Sequence, residues 1–162
     1  MLIPSPGLRP AGEHVPADVA RLRILEEHRG LRRLLEAGIA IANRSLAGDE
    51  AALTELPTAL INTRQAFHCH LNYEEGLLLP ILEDDVPVGP WRATALLEEH
   101  RRQRAELDAL CLGEQTCSWT ELSARFGALV QALLTDMEEE ERHLITPDVI
   151  RDDGVVIDQT GG

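Results

Sequence analysis

An all-α fold, an up-down-up-down antiparallel four-helix bundle, follows from three observations on this 162-residue chain. Four long segments carry apolar residues every three or four positions, the period of one helical face. The links between them are short and rich in Gly, Pro and Asp, so successive helices run antiparallel. The composition is 44% hydrophobic but only 3% aromatic, an aliphatic core that suits packed helices better than a β-sandwich. A chain of this length buries a full core as one domain.

Residues 1–17 read as an irregular N-terminal arm, with four prolines and two glycines in the first sixteen positions. Asp18 caps a first helix that runs to about Leu46, broken by "AGDE". Its inward stripe is Leu22, Leu25, His28, Leu31 or Arg32, Leu35, Ile39 and Ala42. A second helix spans about Glu50 to Leu82, with Leu56, Leu60, Thr63, Phe67, His70, Glu74, Leu77 and Ile81 on one face. The third runs from about Trp91 to Leu112 and turns Ala93, Leu97, His100, Arg104, Leu107 and Leu110 inward. The fourth starts at Ser118 or Trp119 and ends at Pro147, with Leu122, Phe126, Leu129, Leu133, Met137 and Leu144 inside. The bundle thus covers 18–147, and 148–162 forms a C-terminal tail without helical period.

The net charge of −13 repels phosphate backbones and anionic lipid, so nucleic acid and membrane surfaces are poor partners. No apolar run approaches 18 residues and the start lacks the pattern of a secretion signal, which points to the cytoplasm. Cys69, Cys111 and Cys117 have spacings of neither a disulfide framework nor a zinc knuckle and read as reduced thiols.

An internal repeat organises the chain. "LEEHR" occurs at 25–29 and again at 97–101, and Arg32, Leu35 and Ala37 recur as Arg104, Leu107 and Ala109 at the same offset. Aligning the second and fourth helices by their terminal prolines lays "HLNYEEGLLLP" (70–80) over "MEEEERHLITP" (137–147). Glu74 then matches Glu141, and Met137 stands where His70 would be. Two similar hairpins face each other across a pseudo-two-fold axis, and His28, His70, Glu74 and His100 fall at one height, with Glu141 a turn from Met137.

Three imidazoles and two carboxylates on apolar stripes demand partners, because unpaired buried polar groups are costly. His and Glu at i, i+4 share a face and can hold one metal or adjacent metals. That donor set suits iron, manganese or zinc rather than calcium or copper(I). The competing reading pairs the carboxylates with Arg32 and Arg104, one turn beyond each "LEEHR" histidine. His68 points to the opposite side from His70 and reads as exposed, Cys69 faces away, and "DMEEEER" is mostly a solvated acidic face. Glu140 and His143 form an ExxH pair, but a ferritin-like di-metal bundle needs two such motifs and no second one is present.

The pattern resembles the hemerythrin-like, or HHE cation-binding, domains: His on the first helix, HxxxE on the second, His on the third and HxxxE on the fourth, with prolines closing the second and fourth. The resemblance covers about 18–147 and implies a non-haem di-iron site with bridging carboxylates and capping histidines. By that resemblance the metal residues are His28, His70, Glu74, His100 and Glu141. Met137 departs from it, so the second half-site is expected to be weak, open or absent, and Met137→His is expected to raise bound iron. Asp136 or Glu140 could stand in after a small rotation.

The expected function is binding or sensing of dioxygen, iron or a related small molecule at an iron centre, with zinc or manganese as alternative cofactors. A dedicated catalyst is not expected, because no general base or substrate-sized pocket can be read outside the metal shell. The rivals are a degenerate, metal-free bundle acting as an interaction module, with histidines that respond to pH, and a peroxide- or NO-handling enzyme of the same fold.

Overall fold

The computed structural model describes residues 15–84, 89–113 and 117–150. The expected arm, apart from its last three residues, and the tail beyond 150 lie outside the described residues. Four helices follow in order, α1 (Ala17–Leu46), α2 (Glu50–Asp84), α3 (Gly89–Gly113) and α4 (Trp119–His143). α1 packs broadly on α2 and α4, α2 packs on α3, and the α3–α4 seam is thinner. That is the ring of neighbours an up-down-up-down bundle requires.

Local chemistry sets the ends. α1 begins at Ala17 behind Pro16, so Asp18 lies inside the first turn and not at the cap. Gly48 takes a φ of 86°, open to glycine without strain, and so reverses the chain. Asp49 Oδ1 then accepts from the N–H groups of Ala51 and Ala52 and starts α2. Ser118 caps α4 by accepting from Glu121 N–H. The two prolines expected to close helices are not equivalent. α2 continues through Pro80 to Asp84, whereas α4 stops at His143, four residues short of Pro147.

Each helix buries one stripe, rotated slightly from the expected one in three cases. α1 buries Ile24, His28, Leu31, Leu35 and Gly38, leaving Leu22 57% exposed. α3 buries Leu96 and Gln103 in place of Leu97 and Arg104. α4 buries Val130 where Leu129 was expected. In α2 all the expected positions are buried except Ile81, which is half-buried. Past α4, Ile145 and Ile150 are buried as well, so the core reaches into the expected tail.

The core is split in two. One apolar cluster holds Leu31, Leu35, Phe67, Leu71, Leu107, Phe126, Leu133 and Met137 among others. The other holds Ile24, Leu77, Leu78, Leu82, Leu96 and Ile145. On every helix the change of cluster falls at a polar residue: His28 between Ile24 and Leu31, Glu74 between Leu71 and Leu77, His100 between Leu96 and Leu107, and Glu140 between Met137 and Ile145. A polar layer therefore crosses the bundle between two apolar floors.

Candidate metal centre

The layer is dry. His28, Glu74 and His100 are 0% exposed and His70 is 3% exposed. Two groups of three come together there: His28, His70 and Glu74, and Glu74, His100 and Glu140, each with ligand atoms within 4.8 Å of one another. Glu74 belongs to both. Its Oε2 lies 3.3 Å from His70 Nε2 and 3.5 Å from His100 Nε2, and Glu140 reaches to 3.8 Å from His28 Nε2 and 3.9 Å from His100 Nε2. The His28 and His70 rings meet edge-on at 4.9 Å.

Each imidazole is held from behind by a carboxylate on a neighbouring helix. His28 Nδ1 donates to Glu141 at 2.9 Å, His70 Nδ1 to Glu27 at 3.1 Å, and His100 Nδ1 to Glu75 at 2.9 Å. An ionised carboxylate only accepts, so Nδ1 carries the proton and Nε2 faces the centre. Arg32 and Arg104 in turn hold Glu141 and Glu75, at 2.9 and 2.7 Å. Arg32 therefore pairs with Glu141, as the competing reading expected, whereas Arg104 pairs with Glu75, and neither arginine pairs with Glu74.

The inner atoms lack hydrogen bonds: His28 Nε2, both Glu74 oxygens and His100 Nε2 are buried without one, although ions of opposite sign lie 3.3–3.9 Å away. Electrostatics reflects the crowding. Burial works against a charged His70, but Glu27 and Glu74 outweigh it and raise the imidazole to about 9. Burial opposes His100 likewise, and Glu140 and Glu74 lift it to about 10. Burial works against an ionised Glu74, yet His100 and His70 hold it at about 2. Glu140 is pushed up to about 7, first by burial and then by the charge of Glu74. His28 is lowered by burial and by the neighbouring His70. Imidazole nitrogens and carboxylate oxygens converging without hydrogen bonds are the donor set of a first-row divalent metal, and the residues present fit one.

Four of the five residues expected at the centre, His28, His70, Glu74 and His100, are brought together. The fifth, Glu141, is not among them: it stands outside, on Arg32 and the back of His28, and Glu140 takes the inner position. The shift has a physical cause. Aligning α2 and α4 by Pro80 and Pro147 equates a residue inside one helix with a residue beyond the end of the other. Aligning by burial pairs Leu56, Leu60, Phe67 and Leu71 with Leu122, Phe126, Leu133 and Met137, all buried, and so pairs Glu74 with Glu140. Met137 is then equivalent to Leu71, 1% exposed and packed in the larger apolar cluster. The outer carboxylates Glu27 and Glu75 were not anticipated, although the doubled "EE" beside His28 and Glu74 carried the signal. His68, expected to be exposed, is half-buried with its Nε2 3.3 Å from Asp108. His143 is exposed, so the ExxH pair does not face one site. The cysteines stand as thiols, with Cys69 exposed. Among the described residues no helix is long and apolar enough to cross a membrane.

A family model described as the hemerythrin HHE cation binding domain matches residues 22–147. Neither a curated protein nor a solved structure matches the chain.

Proposed function

The chain belongs to the hemerythrin HHE cation-binding family, and from that premise we propose that it is a non-haem iron protein whose buried centre binds or senses dioxygen or a related small molecule. The observation that carries this reading is the convergence of orphaned buried atoms, His28 Nε2, both Glu74 oxygens and His100 Nε2, on one layer between apolar floors. Iron held there by His28, His70, Glu74, His100 and Glu140 would supply a redox-active position for a small ligand. The protein's own contribution is positional. Glu27, Glu75 and Glu141 fix the ring orientations and tautomers, and Phe67, Leu71, Leu77 and Met137 keep water out. A cleft of about 380 Å³ between α1 and α2, lined by Leu34, Ala37, Ile41, Thr58 and Asn62 among others, includes no residue of the layer.

The test is metal content together with absorption spectra of protein expressed with iron, first anaerobic and then aerated. Bound iron and a visible band that appears on aeration and fades when oxygen is removed support the proposal. Near-zero metal uptake with full helicity and unchanged melting would overturn it in favour of a metal-free bundle. Consumption of peroxide or NO over many cycles would replace binding by catalysis.

Two further results are expected. Glu27→Gln removes the charge behind His70 and should weaken metal binding by about 10–100-fold without abolishing it, as losing an outer partner of a ligating histidine does. Equal affinity in the Glu27→Gln variant and the wild type, measured by competition with a chelator, would contradict the orienting role. The second concerns protons. Without metal, His70 and His100 stay charged at pH 7, being held at about 9 and 10, and Glu140 is half protonated near 7. Ligation requires all three to be deprotonated, so filling both half-sites at pH 7 should release roughly two to three protons. Affinity should therefore fall as pH is lowered. Calorimetry in buffers of different ionisation heat reads the number directly, and a value near zero would refute the charge assignment.

A further inference from the structure

The two hairpins obey one correspondence, in which α1 maps onto α3 with an offset of 72 (His28 to His100) and α2 onto α4 with an offset of 66 (Glu74 to Glu140). The polar contacts follow it as well as the buried stripe does. Glu141 on His28 at 2.9 Å maps to Glu75 on His100 at 2.9 Å. Arg32 on Glu141 at 2.9 Å maps to Arg104 on Glu75 at 2.7 Å. One pair of the first half remains, His70 with Glu27 behind it at 3.1 Å, and its images are Asp136 and Glu99.

Those images are neighbours. Gln103, 2% exposed, donates from one amide nitrogen to Glu99 at 3.2 Å and to Asp136 Oδ2 at 3.3 Å, and Arg102 lies 3.4 Å from the same Asp136 oxygen. On the inner side of this half, Glu74 and His100 are 0% exposed with both Glu74 oxygens and His100 Nε2 lacking hydrogen bonds. We infer that Asp136 replaces the fourth-helix histidine and serves as a ligand of the second half-site, exchanging Gln103 for the cation. The inference rests on the metal-binding reading above.

The consequence is an uneven pair of donor sets. The first half offers two imidazoles and the shared Glu74. The second offers one imidazole, Glu74, Glu140 and Asp136, three oxygens to one nitrogen. A harder set favours a hard divalent cation such as Mn²⁺ or Fe²⁺ over softer competitors. An aspartate at this place also adds charge that a histidine would not, which strengthens the hold on such a cation.

The experiment is a titration of full-length, metal-free protein with Mn²⁺, counting free ion by electron paramagnetic resonance, with helicity checked by circular dichroism. Wild type should take two ions per chain. Asp136→Asn keeps an oxygen that can accept from Gln103, yet should weaken one of the two sites by at least about tenfold and spare the other. Asp136→His should retain two sites, and Met137→His should add none. Two unchanged sites in Asp136→Asn would overturn this inference alone, as would only one site in wild type. No Mn²⁺ or iron uptake by wild type would bring down the metal-binding reading itself.

Discussion

Glu74→Gln is expected to empty both half-sites at once, reducing bound metal from as many as two ions per chain to nearly none. Glu74 is the one carboxylate common to both three-residue groups, so its loss reaches both. Glutamine keeps the volume at a position that is 0% exposed, so the loss is of charge and not of packing. The metal-free protein should also change. His70 and His100, raised to about 9 and 10, contribute stability that is fully present below the ordinary histidine value and is lost as pH rises through 9 and 10. Removing their shared counter-charge leaves His70 to Glu27 and His100 to Glu140 and Glu75, so both imidazoles titrate lower and part of that stability is lost. Unfolding by urea in the presence of a chelator, at pH 6 and pH 10, should therefore show a smaller difference for Glu74→Gln than for wild type. Metal content above half the wild-type value would refute the bridging role.

Phe126→Ala should do the reverse, costing about 3–5 kcal/mol while the metal bound per folded chain stays the same. Phe126 is 0% exposed in the larger apolar cluster, about 20 Å along α4 from Glu140 at 1.5 Å per residue. Its ring lies over Gly38, where an added Cβ would stand 3.1 Å from Cζ. The two sites should therefore couple. In wild type, Gly38→Ala forces the ring to shift and cancels the gain of about 1 kcal/mol that alanine brings to a helix interior. In the Phe126→Ala protein the space is free, and the same change should recover up to about that amount. Additive effects in the double-mutant cycle would mean the ring and the glycine do not meet. A fall in metal content with Phe126→Ala would mean the two floors and the layer are not independent.

The histidines were legible because each sits on an apolar stripe at a turn spacing and because "LEEHR" is written twice. A short exact repeat survives small errors of alignment. The fourth helix had no such anchor. Its four-residue acidic run, 138–141, offers a carboxylate at nearly every angle, so only a rotation fixed to within one residue distinguishes Glu140 from Glu141. A misplaced landmark at Pro147 supplied the wrong rotation. The same alignment set Met137 opposite His70, whereas the burial match sets it opposite Leu71, with Leu133 beside it in the apolar cluster. The rotated stripes of α1, α3 and α4 have a similar origin: with Leu at both Leu96 and Leu97, period alone does not say which one turns inward.

From the residues alone came the helix count, the pairing into two hairpins, the family resemblance, and three imidazoles with one carboxylate at a common depth. These are local and periodic properties, set by side-chain spacing along one chain. Tertiary structure decided the rest: which acid of α4 faces in, that Glu27, Glu75 and Glu141 brace the rings from neighbouring helices, and that Arg32 and Arg104 serve those braces. Each of those depends on how one rod is turned against another, a quantity that packing of whole stripes determines and that no single helix encodes.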